Sequence, residues 1–249
     1  MNVQVRLLQL LVLGGAYGFF VALSLSFPFF PPPHLVLRTG FEFFLTGEIY
    51  AHVGVTLYET VVGHGIAILG GIAIGVLLGG SRTVGEVFEP IILSAYAVPK
   101  IVLLPVLLMI FGVGLTTKIA NATIHGIFPV ILNTVVGVRE VNRILIKAAR
   151  SMRASRWQIF RKVYFPSMVL PVFAGIRIGL GFAFLGSLLA ELFEAKVGLG
   201  FLVTHYYNTA QISKMLAVIL FVFVLITAIN AGMKAIETHL SRWRGTWTP

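Results

Sequence analysis

The 249-residue sequence contains no cysteine and no aspartate; all nine of its acids are glutamate, and charged side chains make up only 11% of it. Without cysteine there are no disulfides, no thiolate metal centres and no cysteine nucleophile. So little charge excludes an ordinary water-soluble domain, where about a quarter of side chains are charged. The six histidines include no pair at i, i+4 and no HExxH spacing, so no metal site is expected. There is no Gly-Lys dipeptide, hence no G-x-x-x-x-G-K-[ST] phosphate loop, and no nucleotide or other cofactor is expected on this chain. Paired carboxylates or histidine clusters of the kind an integral membrane enzyme needs are also missing.

What is present is apolar. Hydrophobic residues are 57% of the chain and the mean hydropathy is +0.94. A bilayer core about 30 Å thick needs roughly 20 apolar residues in a helix. Six stretches reach that length: Leu7–Phe27, Leu57–Leu78, Phe88–Phe111, Ile119–Val138, Leu170–Leu192 and Ile212–Ala231. The first is too long for a signal-peptide core, which runs about 7–15 residues. The third carries Pro90, Pro99 and Pro105, which break a regular helix. An all-α polytopic membrane protein of six spans, forming one domain over 1–249, is the expected fold class.

The net charge of +10 could suggest a nucleic-acid partner, but this composition offers no polar surface to carry one, and the lipid bilayer is the expected environment. Thirteen of the nineteen basic residues fall at the N-terminus, after spans two and four, and in the C-terminal tail: Arg6, Arg82, the eight from Arg139 to Lys162, Lys234, Arg242 and Arg244. Four fall in the opposite loops, Arg38, Lys118, Lys196 and Lys214. By the positive-inside rule both termini are expected in the cytoplasm of a plasma (inner) membrane protein. Outside, Pro28–His34 reads as an extended exit from the first span and Glu42–Tyr50 as a short interfacial helix.

Small residues recur at every fourth position in span two (Gly63, Ala67, Gly71, Gly75, Gly79) and span five (Gly175, Gly179, Ala183, Ser187). Such ladders let helix backbones approach closely in lipid. Of the charges within spans, Glu59 and Glu191 stand near outer ends, where snorkelling would suffice. Lys100 and Arg177 are either paired with carbonyls or a Glu, or attract an anion along a translocation path. His64, His125, Asn121 and Asn133 read as interhelical hydrogen-bonding groups, with His125 and Asn121 also candidates for the path.

The most patterned stretch is the loop Arg139–Pro166, "REVNRILIKAARSMRASRWQIFRKVYFP". Leu145–Met152 is a good helix former, Arg153 and Ala154 interrupt it, and Ser155 with Gln158 forms a capping-box signature for a second helix. That helix sets Trp157, Phe160 and Tyr164 at i, i+3 and i+7 among basic residues including Arg156, a face for lipid headgroups or for a cytoplasmic partner's groove.

Here the sequence resembles the EAA loop of binding-protein-dependent ABC importer permeases, Glu-Ala-Ala, three residues, Gly, nine residues, Ile-x-Leu-Pro. Lys147, Ala148 and Ala149 stand at the first three positions, Arg153 at the Gly, Val163 at the Ile, Phe165 at the Leu and Pro166 at the Pro. Val98–Gly114 "VPKIVLLPVLLMIFGVG", Phe128–Arg139 "FPVILNTVVGVR" and Gly198–Leu202 "GLGFL" resemble the nitrate, sulfonate and taurine branch. The resemblance spans roughly Val53 to Met233. It implies a type I importer permease fold, two permease copies, usually identical, and a cytoplasmic ATPase dimer that carries the ATP and Mg. It also implies an extracytoplasmic solute-binding protein and a small anionic solute. It makes the loop a coupling helix seated on the ATPase, with Lys147, Ala148, Ala149, Arg153, Ser155, Arg156, Trp157, Phe160 and Pro166 as coupling residues. An arginine in place of the motif glycine would cost about 1–2 kcal/mol if the turn is left-handed. A secondary transporter or channel without ATPase would explain the spans but not the patterned loop, and no inverted repeat is visible.

Overall fold

The computed structural model describes residues 3–27, 29–194 and 196–241, and every regular element among them is helical. α1 (Val3–Ser26) covers the first expected span; its apolar segment among the described residues is Tyr17–Ser26. The expected extended backbone of the exit from the first span is present at Pro32 (φ −65°, ψ 149°), but α2 (Pro33–Thr46) begins within that run and takes in only the first part of the helix expected at Glu42–Tyr50. Pro33 fits the first helical turn, where its missing N–H has no partner to lose, and Gly47, at φ 74°, ends the helix in the left-handed region. Pro28 lies outside the described residues.

α3 (Tyr50–Gly80) starts seven residues before the span expected there. The third expected span is broken: α4 (Arg82–Ala97) and the segment of 3-10 turn and α5 (Lys100–Leu103, Leu104–Phe111) meet at 89°. Pro99, lacking an N–H, stands at the break, and Pro105 sits in the first turn of α5. Then come α6 (Leu115–Arg139), α7 (Arg143–Ser151), α8 (Arg156–Ile159), a π turn (Phe160–Tyr164), α9 (Phe165–Glu194), α10 (Leu199–Asn208) and α11 (Ile212–Ser241). α8, the π turn and α9 form one helix, so the second half of the expected loop Arg139–Pro166 is an extension of span five.

Among the described residues four helices are long and apolar enough to cross a membrane, α3, α6, α8–α9 and α11, and the bent pair makes a fifth. The expected count of six is thus not reproduced: α1 holds the sixth stretch, but its described apolar segment is shorter than a span.

α6 lies between α3 and α9. A Cβ added at Gly63, Gly71, Gly75 or Gly79 would lie within 2.5–2.7 Å of the Cβ of Ala122, Val130, Thr134 or Val138 respectively, a constant offset of 59 residues. α3 and α6 therefore run in the same direction, so the bent pair must carry the chain back between them. On the other face Gly175 meets Asn133 and Pro129, Gly179 meets Gly126, and Gly186 meets Asn121, an antiparallel register. The His64 ring from α3 fills the space beside Gly126 and Gly179.

α2 and α10 cap the end where α3 and α6 begin. Phe43 stacks on Tyr206 at 5.7 Å, and Val36, Ile49, Leu199 and Val218 complete an apolar cluster there.

Gly75 is the tightest of these contacts, with the Ile131 carbonyl oxygen 2.8 Å and Thr134 Cβ 2.5 Å from the added atom. Gly75→Leu is expected to lower stability by about 1–3 kcal/mol through overpacking. Gly65→Leu, which meets nothing within 4 Å, should behave as the parent. Thermal unfolding of the two variants in detergent measures the difference.

Candidate functional site

At the end where α6 finishes and α9 begins, α7 and α8 form a helix–turn–helix. Asn142 caps α7 by accepting the Ile144 N–H at 2.9 Å. The exit from α7 is a Schellman turn: Arg153 N–H donates to the Arg150 carbonyl at 2.9 Å and Ala154 N–H to the Ala149 carbonyl at 3.0 Å. Arg153, the left-handed residue of that turn, has φ 56°. This is the position aligned with the motif glycine, so glycine's backbone freedom is what the motif uses there, and arginine bears the left-handed cost. Ser155 then caps α8: its Oγ accepts the Gln158 N–H at 3.2 Å while Gln158 Oε1 accepts the Ser155 N–H at 2.7 Å.

The surface so built is apolar and basic. Trp157 and Phe160 stack at 5.7 Å, with Trp157 66% exposed, and Met152 is 83% exposed. Lys147, Ala148, Ser155, Arg156 and Pro166 are exposed as well, and Ala149 is half-buried. Buried Ile159 anchors the other side. Tyr164 does not share the face of Trp157 and Phe160 in full, because the π turn adds residues to the turn that the i, i+7 spacing assumes. It is half-buried and lines the space beside Val138 and Ile146.

The opposite end carries a network that sequence reasoning missed. Glu59 and Glu191 were expected to snorkel outward; they are 0% and 1% exposed. The early start of α3 places Glu59 well inside the helix, and α10 folds back over the end of α9 to cover Glu191. Lys118, expected in an outer loop, lies in the first turns of α6, 8% exposed, and its Nζ donates to Glu59 Oε1 at 2.8 Å. Three side chains receive the N–H groups that open α10: His52 Nδ1 that of Gly198 (3.1 Å), Thr56 Oγ1 that of Leu199 (2.9 Å), and Glu191 Oε2 that of Gly200 (2.8 Å). Thr56 Oγ1 lies 2.7 Å from Glu191 Oε1, and Thr60 donates to Ser187 at 3.0 Å. Beside this network Tyr206 donates to Glu48 at 2.8 Å; burial, and then Glu48, push its phenol above the usual range. The legible signal was the polar stripe His52, Thr56, Glu59, Thr60 at helical spacing in an otherwise apolar span.

The four candidate path residues are not brought into one cluster. Lys100 Nζ donates to the carbonyls of Tyr96 (2.5 Å) and Val98 (3.2 Å), closing the broken end of α4, and sits 4.6 Å and 4.9 Å from the Tyr96 and Phe128 ring centres. Asn121 is fully buried and donates to the Gly186 carbonyl at 2.7 Å, and His125 Nδ1 lies 2.8 Å from the Asn121 carbonyl. Asn121 therefore ties α6 to α9, while the His125 contact stays within α6. Arg177 Nε lies 2.9 Å from Glu237 Oε2 of α11 and borders a cavity of about 340 Å³ with Asn230. Arg139 pairs with Glu89 at 2.7 Å, joining the end of α6 to α4.

Comparison with known proteins places the chain. The family described as binding-protein-dependent transport system inner membrane component matches residues 68–242. The taurine transport system permease protein TauC of Escherichia coli (strain K12) is 32% identical over 222 residues, 87% of this chain and 81% of that one. The nitrate import permease protein NrtB of Leptolyngbya laminosa is 31% identical over 183 residues, 74% and 66% of the two chains. The riboflavin transport system permease protein RibX of Chloroflexus aurantiacus is 30% identical over 219 residues, 87% and 81%. A structure of the inward-facing MetNI methionine ABC transporter shares the fold, with TM-score 0.68, 24% identity and coverage of 77% of this chain and 95% of that one. The chain belongs to the binding-protein-dependent transport system inner membrane components. It is a permease subunit of an ABC importer, a type I fold whose ATP hydrolysis is performed by a partner ATPase and whose solute comes from a binding protein.

The Glu59–Lys118 pair yields a test of the buried network. Lys118→Met leaves a buried carboxylate without its counter-charge and is expected to cost about 3–5 kcal/mol. Joining it to Glu59→Leu removes both charges and should recover most of that loss. Thermal unfolding of single and double variants reads the recovery; a double variant as weak as the single contradicts the pair's role.

Proposed function

We propose that this chain works as a pair of identical copies, forming the path for a small anionic solute, and that α7 and α8 are the coupling segment that seats in the ATPase. The helix, Schellman turn and capping box at Arg143–Ile159 carry the reading: they hold Trp157 and Phe160 in one exposed stack within a basic rim. Aromatic and arginine anchors of this kind dominate protein contacts. The ATPase dimer supplies the bound ATP and Mg, and the groove that receives Lys147, Arg153 and Arg156 is expected to be correspondingly acidic.

Both termini face the cytoplasm in this reading. The Arg177–Glu237 pair supports it by bringing the end of α11 to the same side of the bundle as the coupling segment. Moving Lys118 from the outer loops into the membrane strengthens the basic asymmetry, with Arg38, Lys196 and Lys214 left outside. Arg242 and Arg244 lie outside the described residues, and the side chain of Arg6 is not part of the structural account.

The nitrate relative supports an anionic solute and the taurine relative a solute that carries a sulfonate group; the riboflavin relative marks the neutral alternative. Lys100 and Arg177 are the side chains proposed to meet the anion. Arg177 is the better supported of the two, because it borders an open cavity while Lys100 is held by carbonyls. A binding assay of the partner binding protein with nitrate, taurine and riboflavin identifies the class.

Reversing charge at Arg153 or Arg156 to Glu is expected to reduce ATP hydrolysis stimulated by the loaded binding protein, without loss of membrane insertion. Arg153→Gly, which relieves the left-handed cost, should retain stimulation. Unchanged stimulation in both charge reversals overturns the coupling role, and solute uptake by the chain without any ATPase would instead support a secondary transporter.

A further inference from the structure

The inner end of the bundle contains a second feature beside the coupling face, with which it shares Arg156 and Phe160. A cavity of about 640 Å³ lies between the coupling segment and the ends of α3 and α6. That is within the range of small-molecule sites, about 300–1,000 Å³. Its inner wall is apolar, with Val76 of α3, Val138 of α6 and Met168 of α9. Its rim carries Arg150, Arg156 and the half-buried Tyr164, and no carboxylate lines it. Among the described residues neither guanidinium has an ion pair or a hydrogen-bond acceptor on its side chain.

We propose that this cavity is a binding site for an anionic phospholipid, whose phosphate sits between Arg150 and Arg156 and whose acyl chains follow the Val76–Val138–Met168 wall into the bilayer. Three features of the cavity argue for that occupant. It opens where α3 and α6, two helices long and apolar enough to cross a membrane, end. It joins unpaired basic side chains to an apolar wall, the two halves of an amphipathic anion. The lining itself holds two basic side chains, Arg150 and Arg156, and no acid to balance them, which a neutral headgroup would not do either. Basic pockets at the cytoplasmic ends of membrane helices suit anionic headgroups for this reason. Because the cavity floor is the Schellman turn at Ala154, an occupant braces the coupling segment against the membrane.

The inference rests on the cytoplasmic placement of the coupling segment, and its test is independent of ATPase stimulation. Native mass spectrometry of the purified permease–ATPase complex, titrated with dioleoylphosphatidylglycerol or dioleoylphosphatidylcholine, reads lipid retained per permease. Phosphatidylglycerol is expected to bind preferentially. The double variant Arg150→Gln with Arg156→Gln should weaken it about 25-fold, about five-fold for each basic side chain at an anionic headgroup. Arg161→Gln with Lys162→Gln removes the same charge from neighbouring positions that do not line the cavity and should bind as the parent. Ala154→Leu, which narrows the cavity without changing charge, should weaken binding as well. Equal retention of phosphatidylcholine, equal loss in the two charge-matched doubles, or displacement of the lipid by inorganic phosphate at matching concentration would overturn the proposal. Normal ATPase stimulation alongside any of these would leave the coupling reading standing, whereas loss of the coupling reading shows in the reversal of Arg153, which does not line the cavity, whatever the lipid does.

Discussion

α6 can lie against α3 on one side and α9 on the other only because the facing positions have almost no side chain. In lipid the neighbouring acyl chains are as apolar as leucine, so helices gain nothing by hiding hydrophobic surface and must be held by close packing and hydrogen bonds. The glycines of α3 and α9 bring backbone against backbone, with Val130 and Thr134 of α6 seated in the grooves they leave. Every other position follows from that three-helix slab. The parallel run of α3 and α6 requires a returning element, and α4 and α5 supply it with a break at Pro99.

The slab has chemically different ends. At one, Glu, Lys, Thr, Ser and His side chains pair with one another and with the N–H groups that open α10. At the other, the basic side chains of α7 and α8 stand open around a stacked aromatic pair. The first end is closed by its own contacts. The second is incomplete until something else supplies counter-charge and covers Trp157.

Local signals were the most legible in the sequence. The small-residue ladders, the Ser155–Gln158 capping box and a proline break in the third span all depend on neighbours a few residues apart; the structure has the first two, and it has the break at Pro99 but not at Pro90, which lies inside α4. Arg153 is the clearest case: its alignment with a motif glycine points to a left-handed residue, and its φ is 56°. Long-range consequences were not legible. Glu59 and Glu191 looked able to reach water because nothing in their own helices shows that Lys118, 59 residues on from Glu59, and α10 close over them. The helix start at Pro33 was hidden for a different reason: a proline run reads as extended unless its last member happens to sit at a first turn. The solute and its path depend on surfaces of partner chains, which this sequence does not encode.

The π turn at Phe160–Tyr164 joins the exposed coupling surface to α9 without a loop between them, so Arg156–Phe193 is one rod of 38 residues. At about 1.5 Å per residue the rod is roughly 57 Å long. It ends beside Glu191, which holds the opening turn of α10. A tilt of about 5° pivoting at one end displaces the other by about 5 Å, roughly the pitch of one helical turn. The chain thus has a continuous helical lever whose handle is Trp157 and Phe160 and whose tip is the carboxylate fastening α10 at the far face of the bundle.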